Sequence, residues 1–322
     1  MRHVYKHLFG PVPSRRLGRS LGVDLTPFKT CTLDCVFCQL GRTTRRTTVR
    51  DDYVSIADTV AELDAWLKDG GTADHITLAG SGEPTLHARF GDVLQAVRDR
   101  TGIPTALLSN GTLFPQPGVR EAAARADIVK LTLSAWDGSS FAHIHRPDPG
   151  LDFSRIVDGY RAFRQSFHGR LWIEVFLLWG VNTAPCDVER IAALIESVGP
   201  DEIHLNTSTR PPAEDFALAV PRSNMERLAG LFRPRATVVA GFASPATSEF
   251  AATEETVLAM LERRPCTAQQ IAGGFGMHPN EVAKHLGNLA RARRIRPRGA
   301  DGEIYYSAAE TGNTCHPGVA HG

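Results

Sequence analysis

The chain has 322 residues, 42% of them apolar, and a formal net charge of +1; that is material for about two globular domains with substantial cores. The near-neutral balance excludes a global nucleic-acid footprint, so any such binding must come from local patches. Met1 to Gly10 hold no apolar signal run, and stretches such as Val175 to Trp179 are too short to span a bilayer; a cytoplasmic protein without membrane contact is expected.

Leu21 to Leu25 is a short apolar run that reads as a buried strand. It leads into Cys31-Thr-Leu-Asp-Cys35-Val-Phe-Cys38, three thiols at a C-x3-C-x2-C spacing. Thiolates are soft ligands that suit iron–sulfur clusters, zinc and copper(I). A fully ligated [4Fe–4S] cluster takes four cysteines. Three, with no fourth nearby, would leave one iron open, as a catalytic metal site keeps an open position. The competing reading is a zinc knuckle or a set of core thiols, although structural zinc sites normally bring a fourth ligand. Cys186, Cys266 and Cys315 lack cluster spacing and read as bystanders, which argues against a second cluster. Six cysteines in a chain this long are not a disulfide framework.

Gly41 to Arg50 is polar and basic, a loop or edge hairpin. Ser55 caps a helix whose apolar face is Ile56, Val60, Leu63 and Leu67, stopped by Gly70-Gly71. Strand and helix then alternate. The expected strands are His75–Ala79, Pro104–Ser109, Ile128–Ser134, Leu171–Leu178 and Glu202–Asn206. A long loop through His143, His145 and Arg146 is expected after the strand at 128–134. Counting the run at 21–25, six strands each followed by a helix imply parallel pairing with right-handed crossovers: an α/β fold, a partial (β/α)6 TIM-like barrel. Its working face lies where strands end. The cysteine loop, Gly80–Pro84, Ser109–Asn110, Ser134 and Asn206 all fall there.

Residues 1–232 form this barrel, and 233–252, rich in small residues with Pro234, Gly241 and Pro245, read as a linker that can hold one last strand. From 253 to 310 the period changes. Val257, Leu258 and Leu261 mark a helix, Thr267 caps a second, and Val282, Leu286 and Leu289 line the inner face of a third that begins at Pro279. Ile295–Arg298 and Glu303–Tyr306 read as a hairpin joined through Gly299 to Gly302. Three helices and a hairpin resemble a small winged helix-turn-helix domain. Lys284, Arg291, Arg293, Arg294, Arg296 and Arg298 lie where such folds meet a phosphate backbone, with protein docking or dimerisation as the alternative. Residues 311–322 read as a disordered tail.

The C-x3-C-x2-C spacing with Phe37 before its last cysteine resembles the signature of the radical S-adenosylmethionine (SAM) superfamily. Gly10-Pro-Val-Pro-Ser-Arg-Arg-Leu-Gly18 and Leu21-Gly-Val-Asp-Leu25 resemble the opening segment of its Fe–S oxidoreductases, in the branch that includes wybutosine-synthase-like proteins. The resemblance covers roughly residues 8 to 215. It implies that Cys31, Cys35 and Cys38 hold a [4Fe–4S] cluster whose free iron takes the amino and carboxylate groups of SAM. It further implies an enzyme that reductively cleaves SAM to a 5′-deoxyadenosyl radical, which abstracts hydrogen from a substrate. A reducing partner such as flavodoxin or ferredoxin follows from the need for an electron.

Gly80-Ser81-Gly82-Glu83-Pro84 resembles that family's Gly-Gly-Glu-Pro loop, which faces the ammonium of SAM; Ser81 departs from its first glycine. By itself it would be an ordinary strand-to-helix turn. Ser109, Asn110, Ser134 and Asn206 match the family's strand-end SAM contacts, with Arg210 beside them. Glu174 alternates with Trp172 and Phe176 and can point into the barrel or to solvent. Arg146, with His143 and His145, can clamp an anion or lie on a surface loop. Arg15, Arg16, Arg19, Arg42, Arg45, Arg46 and Arg50 flank the cysteine loop as a basic rim or as solvated charge. Other readings of the chain are an Fe–S redox-sensing DNA-binding regulator and a zinc-stabilised binding module. Neither the substrate (RNA, peptide or metabolite), the fate of SAM, the electron donor nor the oligomeric state is legible.

Overall fold

The computed structural model describes residues 5–14, 16–240, 253–263, 265–275, 277, 279–300 and 302–309. Arg15, the part of the expected linker from 241 to 252, Asp301, Cys315 and the expected tail lie outside the described residues. In chain order the elements are β1 (Leu8–Ser14), β2 (Gly18–Val23), β3 (Thr30–Cys31), β4 (Arg45–Arg46), α1 (Ile56–Lys68), β5 (His75–Leu78), α2 (Phe90–Arg100), β6 (Thr105–Leu108), α3 (Pro117–Ala123), β7 (Ile128–Thr132), α4 (Gly138–His145), α5 (Phe153–Ser166), β8 (Arg170–Leu177), α6 (Pro185–Val198), β9 (Glu202–Thr207), α7 (Arg222–Ala229) and β10 (Thr237–Val238). A second group follows: α8 (Glu254–Arg263), β11 (Cys266–Thr267), α9 (Ala268–Phe275), α10 (Pro279–Arg291), β12 (Ile295–Ala300) and β13 (Glu303–Ala308).

One sheet runs β1-β2-β5-β6-β7-β8-β9-β10, parallel from β2 onward and antiparallel between β1 and β2. The six expected strands are its middle; β1 and β10 extend it at either edge. Pro11 and Pro13 hid β1, since proline reads against a strand, yet an edge position tolerates the missing donor. The parallel strands are apolar on the face that packs against the helices. Ile76, Leu78, Leu107, Val129, Leu131, Ile173, Val175 and Leu205 are all buried.

Local sequence accounts for the helices. Ser55 caps α1 by accepting from the Asp58 N–H. Its buried face is Thr59, Leu63 and Trp66, rotated slightly from the expected stripe, because the Trp66 ring fills the space over Gly71. Asp137 and Ser140 form a reciprocal cap on α4, a helix where a loop was expected. Gly138-Ser-Ser140 disguised its start as turn chemistry.

The second group has its own core of Val257, Leu261, Ile271, Val282, Leu286 and Leu289. Thr267 and Gln270 cap α9 reciprocally, Thr267 Oγ1 accepting from the Gln270 N–H and Gln270 Oε1 from the Thr267 N–H, both at 3.2 Å. β12 and β13 pair antiparallel, and β11 completes a three-stranded sheet on β13. This group is seated on the barrel's edge. α8 and α9 pack on β1, and Val12 joins the second core. The Tyr305 hydroxyl donates to the Thr209 carbonyl at 2.9 Å, and Arg298 pairs with Asp215 at 3.2 Å. Among the described residues no helix is long and apolar enough to cross a membrane.

Candidate functional site

The cysteine loop leaves β3 and is fixed by the end of α4. The Asp34 N–H donates to the His145 carbonyl and the Val36 N–H to the Ile144 carbonyl, each at 3.0 Å. Asp34 in turn accepts from the Thr43 N–H at 2.7 Å and from Arg42 at 2.8 Å. Phe37 stacks on Phe176 of β8 with ring centroids 4.0 Å apart, which seats the loop over the sheet. Cys31, Cys35 and Cys38 are free and half-buried; Cys186 is exposed and Cys266 is in the second core.

Each of the three thiols has a nitrogen beside it from another segment. Lys29 Nζ donates to Cys38 Sγ at 3.1 Å. His145 Nδ1 lies 3.1 Å from Cys35 Sγ, and Asn110 Nδ2 donates to Cys31 Sγ at 3.5 Å. Burial pushes the Cys31 thiol up to about 12, with the Glu83 charge adding to it, and raises Cys35 well above its ordinary value. Burial lowers His145 to about 3, so its ring is neutral. Among the described residues no three His, Cys, Asp or Glu side chains gather around one point as a single ion requires. A four-iron cube takes its thiolates on separate irons. Three soft donors, each with a nitrogen within 3.5 Å of its sulfur and one of those nitrogens the Lys29 ammonium, fit such an anionic group.

The Gly80–Pro84 loop is tied to the cysteine loop from below. A Cβ on Gly82 would collide with the Thr30 carbonyl and Thr26 Oγ1, and one on Gly80 with the Asp24 carboxylate. The two glycines therefore serve the protein's own packing. Ser81 donates its N–H at 3.0 Å and its hydroxyl at 2.5 Å to Asp24 Oδ2. Glu83 is buried and accepts from Thr85 N, Thr85 Oγ1, Ser109 Oγ and Asn110 N at 2.6–3.0 Å. Burial still pushes its carboxyl up. Pro84 begins the short 3-10 turn that Glu83 caps. Ser134 is buried, its hydroxyl accepting from the Phe176 N–H at 2.8 Å. Glu83, Ser109 and Ser134, expected to face SAM, thus have these side chains engaged in holding strand ends together.

A cavity of about 420 Å³ opens beside the loop, and Phe37, Gly80 and Asn206 are among its lining residues. Glu174 lines it as well, which settles its inward direction. Glu174 accepts from Arg16 Nη1 at 2.9 Å and from Lys130 Nζ at 2.8 Å, with Asn206 Nδ2 at 3.3 Å. Burial acts to raise this carboxyl, but the two cations outweigh it and hold it far below the usual carboxylate range.

The arginines around the loop have assigned partners. Arg42 and Arg146 both pair with Glu214, Arg45 lies over Tyr53, and Arg46 donates to the Arg146 carbonyl. Arg50 donates to the carbonyls of Thr85, His87 and Ala88. The expected basic rim is largely structural. Sequence reasoning missed Lys29, Asp24 and Lys130 as site residues, and it gave His145 an anion-binding part. Nothing in spacing marks them; each reaches the site through the fold.

The family model described as the radical SAM superfamily matches residues 25–195, just over half of the chain. The chain belongs to the radical SAM superfamily. Its relatives include a UPF0026 protein of Helicobacter pylori (strain J99), 30% identical over 94% of this chain and 97% of that protein. This radical SAM protein is therefore also a member of the UPF0026 group. It is 32% identical, over 94% of its length, to a Brachyspira hyodysenteriae protein named GTPase Obg, of which it covers 45%. The chain thus spans about half the length of that relative. Among solved structures, a radical SAM methyltransferase from Sphaerobacter thermophilus matches with a TM-score of 0.53 at 20% identity, over 69% of this chain and 66% of that one. That likeness is one of fold. A [4Fe–4S] cluster and SAM are the cofactors that membership of the superfamily implies.

Proposed function

We propose that Cys31, Cys35 and Cys38 ligate the [4Fe–4S] cluster, and that the fourth iron takes SAM at the mouth lined by Phe37, Gly80 and Asn206. The observation that carries this is the set of three nitrogens, from Lys29, Asn110 and His145, each lying beside one of the three sulfurs. When bound, the cluster supplies the electron that breaks SAM, and the fragment released removes hydrogen from a substrate. The protein's own part is positional. Phe37 and Phe176 wall the mouth, Asn110 and Glu83 fix the strand ends, and Lys29 places a cation beside the group. Of the Gly80–Pro84 loop, backbone remains for the SAM ammonium, while Glu83 sets its shape.

The wybutosine-like placement belongs to the same proposal, as does a cytoplasmic setting with a flavodoxin or ferredoxin as reductant. Residues 253–310 are proposed as a winged helix-turn-helix, supported by three helices and a hairpin in the expected order. Arg291, Arg293, Arg294 and Arg296 are exposed at the end of α10 and on β12, a face suited to nucleic acid or an acidic protein. The test is SAM turnover under dithionite in anaerobic protein. 5′-Deoxyadenosine should form in the wild type and be absent in Cys35→Ala; equal amounts in both contradict the assignment.

A further inference from the structure

The cavity runs inward from the loop to a charged floor. Phe176 and Glu174 are two positions apart on β8 and face the same side, so the Glu174 layer lies about 7 Å deeper than the Phe37–Phe176 stack. Above the floor Phe9, Val12, Leu17, Leu108 and Met260 supply apolar wall, and Arg210 with several hydroxyl side chains completes the lining. Met260 comes from α8, so the second group of elements walls the open side of the barrel.

The floor carries an excess of positive charge. Arg16 and Lys130 share the one carboxylate of Glu174. Arg16 Nη1 also lies 3.3 Å from His204 Nδ1. A guanidinium only donates, so Nδ1 accepts and the ring proton sits on Nε2, 3.0 Å from Glu202. His204 is thus neutral and adds no charge. Around Glu174, two cations against one anion leave +1; of the two, Arg16 lines the cavity, where Arg210 is a further cation. A buried surplus charge is costly until a counter-ion meets it.

We propose that this floor binds an oxyanion, carboxylate or phosphate, carried by a small substrate with an apolar body, held by Arg16 beneath the SAM position. This rests on the radical SAM reading of the mouth and deepens it: the substrate is a small molecule enclosed between β1, β9 and Met260. An RNA strand or folded peptide would have to displace α8 to reach the floor.

The test uses cluster-loaded full-length protein with SAM bound. The probes are 3-phenylpropionate, 3-phenylpropyl phosphate and the neutral 3-phenylpropanamide, measured by calorimetry. At least one anion should bind about tenfold or more tightly than the amide, as a charge-assisted pair predicts. The stronger anion identifies the group. Arg16→Gln should erase the preference, Arg16→Lys should keep part of it, and Met260→Trp should weaken all three probes by filling the cavity. Equal affinities, no binding at all, or a preference unchanged in Arg16→Gln overturns the proposal. Cluster absorbance and SAM binding on the same samples distinguish that failure from failure of the radical SAM site itself.

Discussion

His145 Nδ1 lies 3.1 Å from Cys35 Sγ, across 110 residues of chain, and the same residue's carbonyl receives the Asp34 N–H. One residue at the end of α4 thus holds both the backbone of the cysteine loop and one of its sulfurs.

Hydrogen bonds and positive charge at cluster sulfurs favour the reduced, more negative state. In the cluster-loaded protein, Lys29→Met, His145→Phe and Asn110→Leu should each make the cluster harder to reduce, by on the order of tens of millivolts. Lys29→Met should move it furthest because it also removes a charge. Redox-poised EPR reads this directly; potentials equal to wild type in all three would remove these donors from the account.

Glu174 gives a pH signature. Its folded-state pKa is depressed, so its contribution to stability is present above the unfolded carboxylate value, about 4.3, and is lost as pH falls below it. Glu174→Gln leaves Lys130 and Arg16 without their carboxylate and should cost about 3–5 kcal/mol at pH 7. The loss should shrink on acidification, so the two stability curves should draw together progressively as pH falls below about 4. Parallel curves in urea titrations from pH 7 to 3 would show that the pair is not coupled to folding.

Gly82 packs on the Thr30 carbonyl, one residue before Cys31. Gly82→Ala should therefore disturb the cysteine loop and lower iron content, as well as weaken SAM binding. Full iron loading in this variant would contradict the packing argument.

Val12 belongs to the core shared by β1 and the second group. Val12→Asp would bury a carboxylate there and should lower stability by about 2 kcal/mol or more. Calorimetric melting that is unchanged would mean that the two groups do not share this contact.

The alternation of apolar strands with capped helices made the barrel's six units readable, because both periodicities are local. The thiols were equally legible, since all three lie in eight residues. What sequence left out depends on contacts between distant segments. Lys29 sits at a positive φ of 57° and lies beside Cys38, which no pattern reports. Ser134 and Glu83 stand at strand ends as expected, but only the fold reveals that their side chains are engaged within it. The direction of Glu174 followed once β7 placed Lys130 against it.

Three cysteines and no others are proposed to hold the cluster. Iron and sulfide analysis with low-temperature EPR, on protein reconstituted anaerobically, tests this most directly. The wild type should hold about four irons per chain. Cys31→Ala, Cys35→Ala and Cys38→Ala should each lose them, and Cys186→Ala should retain them. Zinc in place of iron in the wild type, or a Cys186→Ala protein as depleted as Cys35→Ala, would contradict it.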